Sequence, residues 1–212
     1  MKKYIGFIFS AMVAVLLSGC ASTIHLSPAA RARIHTVSIQ PTIPVTSPPV
    51  YNGGTVVGNS VAASTGMLGV LIKYGVEAPD RDAIAKAFSD GDIQLNQIFD
   101  QKFTQKLSSE THFKLAHSGA GDAQFILSID AYGFSNPPVQ NKGAIPYVSV
   151  SGKLVDLQGN TVWKSSKDEY LAPSSTVHYR FTDYTHNPVL MKKAFNELMG
   201  QAADDLVLTL ND

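Results

Sequence analysis

Tyr147-Val148-Ser149-Val150-Ser151-Gly152-Lys153-Leu154-Val155-Asp156 alternates apolar and polar residues, Gln158-Gly159-Asn160 interrupts, and Thr161-Val162-Trp163-Lys164-Ser165-Ser166-Lys167 alternates again. A period of two is that of a strand with one buried face. The interruption carries turn chemistry, so the stretch predicts a β-hairpin over 147–167. Asp156 is placed to accept from the turn amides, Gly159 to take a positive φ, and Trp163 to bury against a covering layer.

Working upstream, 124–134 is a second strand with Phe125, Leu127, Ile129 and Ala131 on one face. Residues 113–117 form a shorter one, ended by Ser118-Gly119-Ala120-Gly121, and the two are expected to pair as a hairpin. Leu95, Ile98, Phe99, Phe103 and Leu107 recur at helical spacing, predicting a helix over 93–107 capped by Asp90 or Asp92, with a shorter one over 80–88 before the Gly91 break. Downstream, Asn187-Pro188 reads as a cap followed by proline in the first turn, and Met191, Phe195, Leu198, Ala202 and Leu206 extend an amphipathic helix to about 210. Residues 34–40 alternate as a first strand. Pro41, Pro44, Pro48 and Pro49 are expected to end it and to open a Pro/Gly-rich excursion over 41–76, since proline lacks an amide donor. This order predicts an α+β fold: a small mixed sheet of four to five strands with helices packed on one face.

The N-terminus is laid out as an export signal. Met1-Lys2-Lys3 precede an apolar run over 4–17, and small residues lead to Cys20. The run is shorter than the roughly 20 apolar residues of a spanning helix. Leu17-Ser18-Gly19-Cys20 resembles the lipobox of bacterial lipoproteins, which implies cleavage before Cys20 and acylation of its thiol and new amino terminus. Several acyl chains hold a protein stably to a bilayer. Ala21 stands where an aspartate would, by the same resemblance, retain the protein at the inner membrane, so the outer membrane is expected. The domain plan is then a signal peptide over 1–19, a lipidated tether over 20–33 and one periplasmic domain over 34–212.

Cys20 is the sole cysteine, which excludes intrachain disulfides, cysteine-ligated zinc and a cysteine nucleophile. Lys and Arg balance Asp and Glu at 17 each, and Lys2 and Lys3 leave with the signal, so no basic field exists to neutralise nucleic-acid phosphates. No nucleophile elbow or phosphate-binding glycine loop is present. Asp80, Asp82, Asp90 and Asp92 lack the loop of a calcium site and suit helix starts. His178, Asp183 and His186 match no zinc spacing, so no metal and no catalytic residue is expected. Tyr170, Tyr179, Arg180, Phe181 and Tyr184 form an aromatic and arginine-bearing set of the type enriched at protein interfaces, with core packing as the other reading. The apolar stretch 56–76, containing Met67-Leu68-Gly69-Val70-Leu71-Ile72, suits a buried or covering segment better than a span.

The segments Gly121-Asp122-Ala123-Gln124-Phe125-Ile126-Leu127-Ser128-Ile129 and 150–164 resemble outer-membrane lipoproteins of the CsgG-like, PelC-like and penicillin-binding-protein-activator groups and the TolB amino-terminal domain. The resemblance implies a small α/β domain related to the anticodon-binding fold. It also implies a non-enzymatic accessory protein without cofactor, held by lipid on Cys20, that binds an envelope protein or self-associates. The alternative expectation is a periplasmic carrier of a small hydrophobic or glycan ligand, bound between the apolar excursion and the aromatics of 179–184.

Overall fold

The computed structural model describes residues 23–52, 78–116, 121–135, 143–171 and 179–211. The chain runs α1 (Pro28–Arg33), β1 (Thr36–Ile39), β2 (Val50–Asn52), α2 (Ala78–Asp90), α3 (Leu95–Glu110), β3 (Lys114–Leu115), β4 (Ala123–Ser135), β5 (Ile145–Asp156), β6 (Thr161–Leu171), α4 (Phe181–Thr185) and α5 (Pro188–Asn211).

The hairpin is β5 and β6, antiparallel from Tyr147 opposite Leu171 to Val155 opposite Thr161. Its turn is built as the sequence predicts. Asp156 Oδ1 accepts the amides of Gln158 at 3.0 Å and Asn160 at 2.9 Å, and Gly159 has φ +83°. Trp163 is fully buried on the helix side, above Gly152, where a Cβ would stand 3.2 Å from the indole Cη2 and 2.9 Å from Leu127 Cδ2. The glycine is the space the indole occupies.

β4 extends the meander antiparallel to β5, and the six-stranded mixed sheet has the order β3-β1-β4-β5-β6, with β2 also on β4. In β4 a bulge falls between Ile129 and Ala131, leaving Asp130 as the extra residue. The bulge inverts the alternation. Phe125, Leu127 and Ile129 face the helices before it, and Tyr132 and Phe134 meet Phe195 of α5 after it.

Two expectations about the other strands are corrected. β3 and β4 do not form a hairpin, because β1 lies between them and pairs parallel with both. Asp122 and Gly121 account for the insertion. The Asp122 carboxylate accepts the amides of His35 at 2.9 Å and Thr36 at 2.8 Å and the Thr36 hydroxyl at 2.9 Å. At Gly121 a Cβ would stand 2.9 Å from Ser38 N, so only glycine lets β1 come this close. Nor does the chain leave the sheet at Pro41. Gln40 N donates to Phe125 O, Ile129 N to Pro44 O and Thr46 N to Ile129 O, each at 2.9 Å, and β2 then pairs parallel with Gly133 to Ser135. The prolines are tolerated because this edge-like path uses only some of its amides. The remainder of the expected excursion, 53–76, lies outside the described residues.

The helices form one layer. α3 buries Leu95, Phe99, Phe103 and Leu107, one residue per turn, with Phe103 edge-on to Phe125 at 5.2 Å. Its N-cap is Gln94, not Asp90 or Asp92, and Gln94 makes no side-chain capping bond. Asp92 instead takes φ +45° and accepts from Gln94 Nε2. α5 buries all five residues of its expected stripe and is capped by Asn187 Oδ1, which accepts from Leu190 N at 3.1 Å. Among the described residues no helix covers the opposite face of the sheet.

Two outcomes follow from this framework. At Gly133, φ is +151° and a Cβ would fall 1.8 Å from Val50 O. Gly133→Ala therefore displaces β2 and costs about 2 to 3 kcal/mol in a urea melt, with faster amide exchange at 50–52. Asp122 is held below the usual carboxylate range, first by the Thr36 amide and then by the His35 amide, and Asp156 first by the Asn160 amide. Both bind protons more weakly folded than unfolded, so their stabilisation is complete above about pH 4 and is lost as pH falls through the lower folded values. Asp122→Asn should be less stable at neutral pH, and its stability should fall less steeply on acidification, in melts run from neutral pH downward.

Candidate functional site

The sequence of 179–186 sets its own short helix. Asp183 reaches back to the N-cap, its Oδ2 accepting from Arg180 N at 3.0 Å, while the Arg180 guanidinium grips both carboxylate oxygens at 3.0 and 3.2 Å. The guanidinium, then the Arg180 amide, hold the Asp183 carboxyl below its ordinary range. Phe181 and Tyr184, three residues apart, share the inner side of α4. Phe181 stacks on Tyr51 at 4.2 Å, and Tyr184 lies 4.9 Å from Phe134. Burial pushes the Tyr184 phenol up.

Of the five residues in the expected partner surface, the structure therefore brings two outward. Tyr179 is 40 % exposed against 2 % for Tyr184, and Arg180 is exposed beside its carboxylate partner. Phe181 is half-buried. Tyr170 belongs to β6, opposite Val148, and its side chain lies outside the described residues. Tyr184 is in the core and Phe181 packs against it, and most of the apolar excursion that the sequence set opposite them, 53–76, lies outside the described residues. His178, Cys20 and the apolar run 67–72 also lie outside the described residues. Asp183 is engaged by Arg180, and His186 is exposed at the C-cap of α4. Among the described residues no helix is long and apolar enough to cross a membrane.

A second feature escaped the sequence reading. The segment expected to be a tether is fixed to the domain from Ile24 onward. Ile24 N donates to Lys164 O and Lys164 N to Ile24 O, both at 2.9 Å, which places Ile24 beside β6. Leu26, Ala30 and Ile34, spaced by four, are buried in the main core. Ser27 caps α1 through Ala30 N at 3.2 Å, with Pro28 in the first turn. Arg31 then donates to Leu210 O at 2.7 Å, satisfying a terminal carbonyl of α5. Arg33, 63 % exposed in its side chain, meets the 4 % exposed Asp156 carboxylate at 3.2 Å. Ser27-Pro28 followed by four-residue apolar spacing is the sequence signal for this helix.

Beside β6, the face that no described helix covers carries a shallow groove of about 160 Å³, lined by Pro44, Ile126, Ser128, Ser151, Lys153 and Lys164. Lys153 and Lys164 are register partners on β5 and β6. Their neighbours Leu154 and Trp163 point into the core, so alternation turns both lysines to the open side.

The chain matches no protein-family model and no curated protein. It is similar in structure to a protein of Xanthomonas campestris described as DUF330, at 12% identity over 89% of this chain and 90% of that one, with a TM-score of 0.46. It is also similar to the PelC dodecamer protein of Paraburkholderia phytofirmans, at 12% over 86% and 92% with a TM-score of 0.34. A lipoprotein of Neisseria meningitidis gives 15% over 84% and 98%, with a TM-score of 0.28. The functional reading accordingly rests on this chain's own residues.

The two halves of the aromatic segment should separate in stability measurements. Tyr184→Ala should cost about 3 kcal/mol or more, as removal of a large buried ring does. Arg180→Ala and Tyr179→Ala should each cost only about 1 kcal/mol or less, because the Arg180–Asp183 pair is at the surface and Tyr179 meets Tyr184 only edge-on.

Proposed function

We propose that the chain is a non-enzymatic lipoprotein, acylated at Cys20 and held on the periplasmic side of the outer membrane, that binds or assembles with another protein of the envelope. The observation that carries this reading is the fit between the lipobox-like Leu17-Ser18-Gly19-Cys20 and the described fold that follows it. Among the described residues sheet pairing starts at Ile24 and the main core at Leu26, both on the C-terminal side of the cleavage point. Ala21 favours the outer membrane over the inner. Tyr179 and Arg180 are the exposed members of the aromatic set and would serve as contact residues for the partner.

Intact mass of the detergent-extracted mature protein tests the anchor. A chain beginning at Cys20 and carrying the added mass of its acyl groups is expected, and Cys20→Ser should move the protein to the soluble fraction. A mature chain that starts elsewhere, or a Cys20→Ser protein still in the membrane fraction, would overturn it. Crosslinking in living cells tests the partner: Tyr179→Ala with Arg180→Ala should lower the yield of a specific crosslinked product at least severalfold.

A further inference from the structure

We infer that the open face of the sheet beside Ile24 lies against the bilayer, with Lys153 and Lys164 taking the anionic headgroups of its lipids; the inference rests on the acylation of Cys20 proposed above. The first ground is reach. Three residues separate Cys20 from Ile24, which is fixed to β6 by two hydrogen bonds, and the four Cα-to-Cα steps between them span at most about 14 Å. A domain of this size has a radius of gyration of about 16 Å. The anchor is therefore shorter than the domain is thick, and only surface near the Ile24 edge can meet the membrane.

The second ground is charge. Lys153 and Lys164 face each other across β5 and β6 on the side of the sheet that no described helix covers, and like charges directly opposite in a sheet repel. Neither ammonium has an ion-pair partner among the described residues. Among the described residues, the nearby carboxylate of Asp130 accepts from Ser128 Oγ, which also meets Ser151 Oγ at 2.8 Å. A phosphate set between the two ammoniums relieves their repulsion. Ile24, itself 36 % exposed, adds apolar surface outside β6, and Ile126 of β4 with Pro44 beyond it adds apolar surface at the far end of the groove. Anionic lipid attracts a lysine at the surface within a Debye length, about 8 Å at physiological salt.

The test uses the full acylated protein in vesicles of phosphatidylcholine, with or without phosphatidylglycerol, and a water-soluble amine-acylating reagent read out residue by residue by mass spectrometry. Lys153 and Lys164 should react about fivefold more slowly in the anionic vesicles. High salt should restore their rates, and the exposed Lys86 and Lys193 of the helix layer should react equally in both. Equal rates for Lys153 and Lys164 in the two vesicles overturn the inference, as does protection that persists without phosphatidylglycerol, which would mean a covering other than anionic lipid. Intact mass of the same sample separates the two failures: an acylated protein with unprotected lysines defeats the orientation alone, and an unacylated one defeats the anchor and the orientation together.

Discussion

α5 needs an unbroken apolar platform, and β4 provides it only because of its bulge. A straight strand of thirteen residues twists steadily, and strict alternation would carry either Phe125, Leu127 and Ile129 or Tyr132 and Phe134 to the helices, but not both sets. The extra residue at Asp130 resets the parity between them. Phe195 can then meet Tyr132 and Phe134 at one end of the sheet, while Trp163 meets Phe125 at the other and donates to Thr209 O at 3.3 Å. The same reset turns Ala131 to the far face, where it joins Val50 and Tyr147 in a small separate cluster. Gly133 lets β2 come close enough to complete that cluster.

The parts of this fold that were legible in the sequence are those whose partners are close along the chain. The β5–β6 turn follows from Asp156, Gly159 and Asn160, all within five residues, and the caps and stripes of α3 and α5 follow from helical spacing, the Asp cap on α3 excepted. The pairings that were misread are long-range. Nothing near Phe113 or Gln124 indicates that β1, some 85 residues earlier, passes between them. The cause sits in Gly121 and Asp122, whose composition alone reads as an ordinary turn. The proline-rich path after β1 was misread for a related reason: proline forbids an amide donor at its own position, not a carbonyl acceptor, and Pro44 O is what Ile129 uses.

The aromatic segment shows why surface and core are hard to separate in a single sequence. Tyr179, Phe181 and Tyr184 have the composition of an interface and of a core alike. The division depends on α4, a helix of five residues, too short for a periodic signal to stand out. Its start is fixed by Arg180 and Asp183, whose three-residue spacing brings Phe181 and Tyr184 to one side by the same turn. The docked segment before β1 was missed for a different reason: small residues and arginines resemble a linker until Leu26, Ala30 and Ile34 are seen to share a face.

The β5–β6 hairpin ties the interior of this protein to its open face through a single register. Leu154 and Trp163 sit opposite each other in the core, and Lys153 and Lys164 sit opposite each other outside it, because adjacent residues on a strand point to opposite sides. A slip of one residue on both strands would send the lysines inward and the indole to solvent, so the core that fixes the register fixes the charged pair as well. Gly152 favours this on the inner side, since a Cβ there would crowd the indole at 3.2 Å. Ile24 enforces it at the edge, since both of its hydrogen bonds go to the backbone of Lys164, the residue next to Trp163. The path of the N-terminal segment, the position of the indole and the outward lysines thus share one determinant, and a substitution that disturbs any of them acts on all three.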